Sequence, residues 1–397
     1  MTIFCNKKAI SAIENKDILC YNSNMEILYT PKGEIKMEKT LRIGIIGCGG
    51  IANGKHMPAL RQQKNVEMVA FCDIIVERAE KAAKDFGTAD AKVYEDYKEL
   101  LKDESIDVVH VCTPNKEHSF ITIDALESGK HVMCEKPMAK TYAEGVAMLE
   151  AAKRTGKKLT IGYQGRQQAA SQYIKKCADN GEFGDVYYGN ALAIRRRAVP
   201  TWGVFLNEEE QGGGPLIDIG THALDLTLWC MNNYKPKMVV GTKYRKLADQ
   251  TETGNAWGDW DPEKFTVEDS AFGFVVMEDG ATIILQSSWA LNILDPKECS
   301  FRICGTKAGA DNLDGARING VKNGRQYVEK PNLNAGGVAF YEGNSTDPSV
   351  LDMAQWINAI RNDTDPCVLP EQALCVTRIL EAIYESSATG KPVYFND

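Results

Sequence analysis

Between residues 41 and 163 the chain alternates two kinds of segment, and that alternation limits the folds open to it more than any other feature. Short, nearly all-apolar runs fall at Leu41–Ile46, Val66–Cys72, 108–112, His131–Cys134 and 159–163. Amphipathic stretches separate them at Val76–Phe86, 117–128 and 141–155; in the last, Val146, Leu149, Ala152 and Lys153 recur at helical spacing. A strand that is apolar throughout has to be covered on both faces. Such strands alternating with helices predict a parallel sheet wound on both sides, ending near residues 162–166.

After residue 166 the rhythm changes. A helix over 169–180 leads into longer strand-like segments at 186–197, 237–245, Ser270–Met277, 281–291 and 299–305. Phe272, Phe274 and Val276 alternate with Gly273, Val275 and Met277, and Met277-Glu278-Asp279-Gly280-Ala281 reads as a hairpin turn. Helices over 350–361 and 370–387 close the chain. The expected class is α/β, in two domains: a doubly wound parallel sheet over 39–164, then an α+β domain with a large, mostly antiparallel open sheet over 165–397. The last helices are placed to pack back on the first domain. A length of 397 residues suits two cores better than one. Residues 1–38 form an N-terminal extension without clear periodicity, to which no function is assigned.

A formal charge of −8 argues against a nucleic-acid or anionic-membrane partner, and Arg195-Arg196-Arg197 is the only notable basic run. No apolar stretch reaches the length of a membrane span, and no apolar signal-peptide core opens the chain. The chain has 12 cysteines but no Cys-x-x-Cys pair. Cys48, Cys72, Cys112 and Cys134 each end an apolar run, where cysteine behaves as a small hydrophobe. Free thiols in a reducing cytoplasm and no metal site are the expectation.

The first apolar run leads straight into Gly47-x-Gly49-x-x-Ala52. In a strand–turn–helix setting the first glycine permits a tight turn and the second lets the backbone approach a pyrophosphate. The third position packs helix on strand, where alanine also fits. Asp73, 26 residues after Gly47, ends the second run and can accept both ribose hydroxyls. That carboxylate would repel a 2′-phosphate, and Ile74 and Ile75 supply no cation, so NAD is favoured over NADP, with Arg78 the nearest exception. This is the Rossmann dinucleotide pattern, and Gly47, Gly49, Gly50, Ile51 and Asp73 are its candidate cofactor residues. Thr113, Pro114 and Asn115 follow another run and belong beside the nicotinamide ribose, although Asn115 also reads as a helix cap. His118, one turn on, is either a cofactor contact or a surface residue.

Glu135-Lys136-Pro137 closes a strand that should be buried, and a lysine is costly there unless it is paired or used. Glu135 is its obvious partner or a ribose ligand. Lys136 can meet both the cofactor and a reacting hydroxyl. Some 75 residues further, Gly212-Gly213-Gly214-Pro215-Leu216-Ile217-Asp218-Ile219-Gly220-Thr221-His222 puts Asp218 and His222 on one face of any helix. The glycines can bring the chain close to a ligand. A dinucleotide site with a lysine, an aspartate and a histidine suits oxidation of an alcohol: the hydride needs an acceptor and the proton a base. In that reading His222 takes the proton, Lys136 stabilises the alkoxide, and Asp218 orients His222 and substrate.

These three motifs resemble those of the glucose–fructose oxidoreductase / inositol dehydrogenase / MocA family, from about Leu41 to the C-terminus. The resemblance implies a Rossmann domain and a C-terminal α/β domain whose open sheet mediates a homo-oligomer. It also implies that Lys136 and His222 are the catalytic pair, with Asp218 beside them. Ala52 departs from the glycine of the motif, as in similar proteins. The segment Arg195-Arg196-Arg197-Ala198-Val199-Pro200-Thr201-Trp202-Gly203 resembles sugar- and glycoside-oxidising members. Read by residue type, Arg197 offers donors to hydroxyls and Trp202 an indole face to sugar C–H bonds; a solvated strand edge with one buried tryptophan reads the same way. Tyr163, Gln164 and Arg166 end the last Rossmann strand, in reach of substrate. The implied reaction is NAD-dependent oxidation of a secondary hydroxyl, at C3, of a sugar, glycoside or inositol. An NAD-dependent glycosidase of the same fold and a non-catalytic NAD-binding sensor are the alternatives.

Overall fold

The computed structural model describes residues 27–29, 35–37, 39–333 and 347–395. In the N-terminal extension, β1 (Ile27–Tyr29) and β2 (Ile35–Met37) form a short antiparallel pair. The rest of residues 1–38 lies outside the described residues.

The first domain is a six-stranded parallel sheet. Its strands are β3 (Leu41–Ile46), β4 (Val66–Cys72), β5 (Lys92–Tyr94), β6 (Val108–Val111), β7 (His131–Cys134) and β8 (Leu159–Ile161). Their spatial order is β5-β4-β3-β6-β7-β8. The order reverses between β3 and β6, and ligands bind such sheets at the carboxyl ends of the strands flanking the reversal. Gly47 and Thr113 follow those two strand ends. The strand absent from the sequence reading, β5, is a three-residue edge strand whose Lys92 and Val93 are exposed, so it carries no apolar signature.

Among the described residues the second domain is built on nine strands. They are β9 (Val186–Ile194), β10 (Pro236–Tyr244), β11 (Ser270–Met277), β12 (Thr282–Ser288), β13 (Lys297–Gly305), β14 (Ala308–Asp311), β15 (Arg317–Lys322), β16 (Arg325–Glu329) and β17 (Val393–Tyr394). The order is β16-β15-β14-β13-β9-β12-β11-β10-β17, and β9–β12 is its one parallel pairing. The helices Thr221–Met231 and Pro370–Thr389 cover one face. On the other, Val240 pairs in register with Phe274, and both are exposed.

The helix Pro348–Arg361 belongs by sequence to the second domain and by packing to the first. Its Val350, Met353, Trp356 and Ile357 share an apolar cluster with Ile43, Ile45 and Phe71. Its Arg361 donates to the carbonyls of Lys64 and Asn65, each at 2.8 Å. A chain segment that crosses back in this way ties the two cores together. Every cysteine among the described residues is free. No helix among them is long and apolar enough to cross a membrane.

Candidate active site

The turn after β3 needs its first glycine. Gly47 has φ +88°, and a Cβ there would lie 2.6 Å from the carbonyl oxygen of Cys112 at the end of the neighbouring strand. Gly49 and Gly50 face open space, the room a pyrophosphate requires beside a helix start. Ala52 is fully buried under the helix that begins there, through a π-turn over Ala52–His56. Asp73 accepts the amides of Cys48 at 2.8 Å and Ile75 at 2.9 Å, so its carboxylate shapes the loop as well as facing it. Each oxygen keeps a lone pair for a ribose hydroxyl. Thr113 Oγ1 is buried without a partner among the described residues, a donor left over where a cofactor would sit. Pro114 is exposed beside it. Asn115 caps no helix; its amide donates to the carbonyl of Gln211 at 2.9 Å, across to the second domain. These residues fit NAD.

His118 is corrected by the structure. It is fully buried, and its ring nitrogens lie 2.8 Å from the carbonyl of Pro137 and 3.0 Å from that of Thr113. The ring fastens the Lys136–Pro137 segment to the Thr113 turn and presents no nitrogen to a cofactor. The Lys136–Pro137 peptide is cis. Glu135 likewise neither pairs with the Lys136 ammonium nor faces ribose. Its carboxylate is buried, taking His56 Nε2 at 2.7 Å, Gln164 Nε2 at 3.3 Å and the Lys136 amide at 3.1 Å. Burial opposes its charge, but His56 and Lys136 outweigh burial and hold it at about 2. His56 is the converse: burial works against the imidazolium, while Cys112 and Glu135 hold its pKa well above the usual range. Its Nδ1 lies 2.9 Å from His110 Nδ1, whose ring burial and the His56 charge keep neutral. Sequence reasoning missed this His110–His56–Glu135 chain, because its members come from three separate elements and share no motif.

The glycine-rich segment is tight against protein rather than ligand. A Cβ on Gly213 would lie 2.0 Å from Tyr384 Oη, and one on Gly214 2.2 Å from the carbonyl of Glu268. The buried Glu268 carboxylate accepts the amides of Gly214 at 2.9 Å and Leu216 at 3.2 Å and the Tyr384 hydroxyl at 2.8 Å. It thereby anchors the start of the helical run that carries Asp218 in a π-turn and His222 at the head of Thr221–Met231. A carboxylate at that end also suits the helix dipole.

Here Lys136 and Asp218 meet. The ammonium donates to Asp218 Oδ1 at 3.0 Å and to its carbonyl at 2.9 Å. Asp218 Oδ2 accepts Trp289 Nε1 at 3.0 Å and lies 3.8 Å from Arg195 Nη1. Burial opposes the charge on Asp218, and the Lys136 and Arg195 cations overcome it and hold the pKa below the usual carboxylate value. The expectation that Asp218 orients His222 is therefore corrected: it holds Lys136, and Trp289 and Arg195 hold it. His222 is placed instead by aromatic packing. Its ring lies edge-on to Tyr163, with centroids 6.0 Å apart, and the Tyr163 hydroxyl is 2.7 Å from Thr221 Oγ1. Burial and then the Lys136 charge lower the His222 pKa to about 3, so the imidazole is neutral.

Two substrate expectations fail on burial. Arg166 is fully buried in a bidentate pair with Asp225, at 3.0 and 2.6 Å, and also donates to the Cys367 carbonyl and Gln372. Tyr163 is buried beneath His222 and cannot reach solvent. Gln164 is partly exposed but spends its amide on Glu135. Of the arginine run it is Arg195, not Arg197, that reaches Asp218; the Arg197 guanidinium donates to the carbonyl of Arg196. Trp202 is 53% exposed, on the loop after β9, so the alternative of a buried tryptophan there fails. The sequence carried a signal for Arg195 in its basic run. For Trp289, at the end of β12, it carried none beyond an aromatic after a strand.

The carboxyl ends of a parallel sheet open to a dinucleotide, with a lysine–aspartate pair and a neutral histidine beside them, define a nicotinamide-dependent oxidoreductase. Family models agree. Residues 41–163 match the NAD-binding Rossmann fold and residues 175–395 the C-terminal alpha/beta domain of one oxidoreductase family. The chain belongs to the Gfo/Idh/MocA oxidoreductase family. It is 35% identical over 353 residues to D-glucoside 3-dehydrogenase of Escherichia coli K12, covering 89% of this chain and 97% of that one. It is 31% identical over 210 residues to inositol 2-dehydrogenase of Salmonella typhimurium LT2, covering 52% of this chain and 60% of that one. Among solved structures it is similar to aldose–aldose oxidoreductase from Caulobacter crescentus complexed with glycerol, with TM-score 0.73 and 25% identity over 90% of this chain and 100% of that one. Levoglucosan dehydrogenase in complex with NADH and L-sorbose shares the fold, with TM-score 0.76 and 20% identity over 90% and 99% of the two chains.

Proposed function

We propose that this protein oxidises the C3 hydroxyl of a D-glucoside or a related sugar. The observation that carries the reading is the contact of Lys136 with Asp218 beside a neutral His222, at the edge of the dinucleotide cleft. The 35% identity with D-glucoside 3-dehydrogenase, over nearly the whole of that enzyme, supports both the substrate class and the carbon. NAD supplies the hydride acceptor when bound. His222 takes the hydroxyl proton on its free ring nitrogen. Lys136, held by Asp218, donates to the substrate oxygen and stabilises the charge that develops there. Asp218 is a positioning residue, fixed by Trp289 and Arg195. General acid–base assistance of this kind contributes about 10²–10⁴-fold. Among the residues first expected at the cofactor, Gly47, Gly49, Gly50, Ile51, Asp73, Thr113, Pro114 and Asn115 remain in the proposal.

The proposal includes a homo-oligomer through the open face of the C-terminal sheet, where Val240, Tyr244 and Phe274 are exposed. Light scattering on the purified protein tests it, and a monomer would refute it. The functional test is a screen of D-glucosides, free hexoses and inositols with NAD, read by NADH absorbance and product mass. The expected product is a 3-keto glucoside, two hydrogens lighter than its substrate. Released sugar without net NADH would instead identify the glycosidase reading.

A further inference from the structure

Four of the six tryptophans, Trp229, Trp260, Trp289 and Trp356, are buried. The other two, Trp202 and Trp257, are 53% and 44% exposed and lie together, with ring centroids 5.0 Å apart at an interplanar angle of 74°. Phe205 extends the cluster, its ring 5.9 Å from Trp202. The two tryptophans stand on separate loops, after β9 and before β11, which are tied to each other. The amide of Val199 donates to Asn255 Oδ1 at 2.8 Å, Asn255 Nδ2 to the carbonyl of Val199 at 3.0 Å, and the amide of Ala256 to the carbonyl of Arg197 at 3.0 Å. Thr201 Oγ1 donates to the carbonyl of Trp257 at 2.8 Å. The aromatic corner is thus a fixed surface, open to solvent, which is the costly way to place two indoles.

Its position gives it a use. Arg195 bridges it to the Lys136–Asp218 pair: the guanidinium carbon lies 5.2 Å from the Trp257 ring centre, and Nη1 is 3.8 Å from Asp218 Oδ2. Arg195 cannot serve freely as a sugar ligand there, because it makes a bidentate pair with Glu298, at 2.6 and 2.5 Å, and donates to the carbonyl of Ala198. What is offered next to the reacting end of the site is therefore an apolar corner of two crossed indoles, with its nearest cation already spent. A second sugar ring can set its C–H bonds on an indole but must desolvate hydroxyls to do so, whereas an aryl group loses nothing by leaving water.

We propose that Trp202, Trp257 and Phe205 form an aglycone subsite, and that the substrates are glucosides bearing an aromatic aglycone. The sugar faces Lys136 and His222, and the aglycone lies against the crossed indoles. This rests on the reading of the enzyme as a glucoside dehydrogenase and deepens it. Aromatic stacking favours an aryl over a methyl aglycone by about 2- to 12-fold, before the added area is counted.

The test compares kcat/KM for 4-nitrophenyl D-glucoside, methyl D-glucoside of the same anomeric form, and cellobiose. The wild type and the Trp257→Ala, Trp257→Phe and Trp202→Ala variants are used with saturating NAD. The wild type is expected to favour the aryl glucoside over both others by on the order of tenfold. That ratio falls toward one in Trp257→Ala and Trp202→Ala, and Trp257→Phe retains part of it. Equal rates on aryl and methyl glucosides, a preference for cellobiose, or an equal loss on all substrates in Trp257→Ala would overturn the subsite while leaving the dehydrogenase intact. If no glucoside is oxidised at all, the functional reading itself fails, and the subsite with it.

Discussion

The proposed mechanism needs His222 neutral before it meets the substrate proton, and that neutrality can be measured directly. Burial and the Lys136 ammonium lower its pKa from the usual 6.5 to about 3. At about 1.4 kcal/mol per unit, this biases the ring toward the neutral form by on the order of 5 kcal/mol. The sign follows: below pH 6.5 an unfolded chain takes up a proton at this position that the folded one refuses. Acid therefore favours unfolding through this residue, increasingly from pH 6.5 down to about 3, and above 6.5 the effect is absent. The protein has five histidines, so ring-labelled histidine gives a spectrum simple enough to assign. The resonance lost in His222→Gln should not move between pH 5 and 8. In Lys136→Met its midpoint should rise, because a cation has gone, yet stay below 6.5, because burial is the larger cause. A wild-type midpoint between 6 and 7 would refute this electrostatic account.

Further outcomes follow from other contacts. Arg166→Met leaves the buried Asp225 carboxyl unpaired in the core and should cost about 3–5 kcal/mol, seen as a lowered thermal midpoint; Arg166→Met with Asp225→Leu should recover most of it. Unchanged stability with a raised KM would restore Arg166 to the substrate site. Gly213→Ala drives a methyl into Tyr384 and should destabilise by about 1–3 kcal/mol while lowering turnover, since the same segment carries Asp218 and His222. Asp73→Ser removes a carboxylate that disfavours a 2′-phosphate. The NADP-to-NAD ratio of kcat/KM should rise by on the order of tenfold; an unchanged ratio would remove Asp73 from cofactor selection.

The parallel sheet was legible because its strands are buried on both faces and so written in apolar residues. Leu41–Ile46, Val66–Cys72 and His131–Cys134 have the expected bounds. β15 and β16 were invisible for the opposite reason: Asn319, Lys322, Arg325 and Glu329 lie at an exposed sheet edge, where nothing selects an apolar pattern. At the site, the sequence could place Lys136, Asp218 and His222 near one another but could not say which pairs with which. Asp218 turned to Lys136 because the ammonium and the Trp289 indole converge on it, and the spacing of Asp218 to His222 holds no information about either. Arg166 and Glu135 were misread for a shared reason. A charged residue at a strand end is equally consistent with a ligand contact and with a buried partner, and here the partners, Asp225 and His56, lie far away in sequence.

The central claim is that Lys136 and His222 act on one substrate carbon, and a set of three variants tests it most directly. Turnover of a D-glucoside should fall by about two decades or more in Lys136→Ala and in His222→Ala, while NAD affinity stays near normal. Groups that serve the same proton transfer do not contribute independently, so the double variant should be little worse than the poorer single one. Near-normal turnover in both single variants, or a double variant whose loss equals the product of the two, would contradict the account.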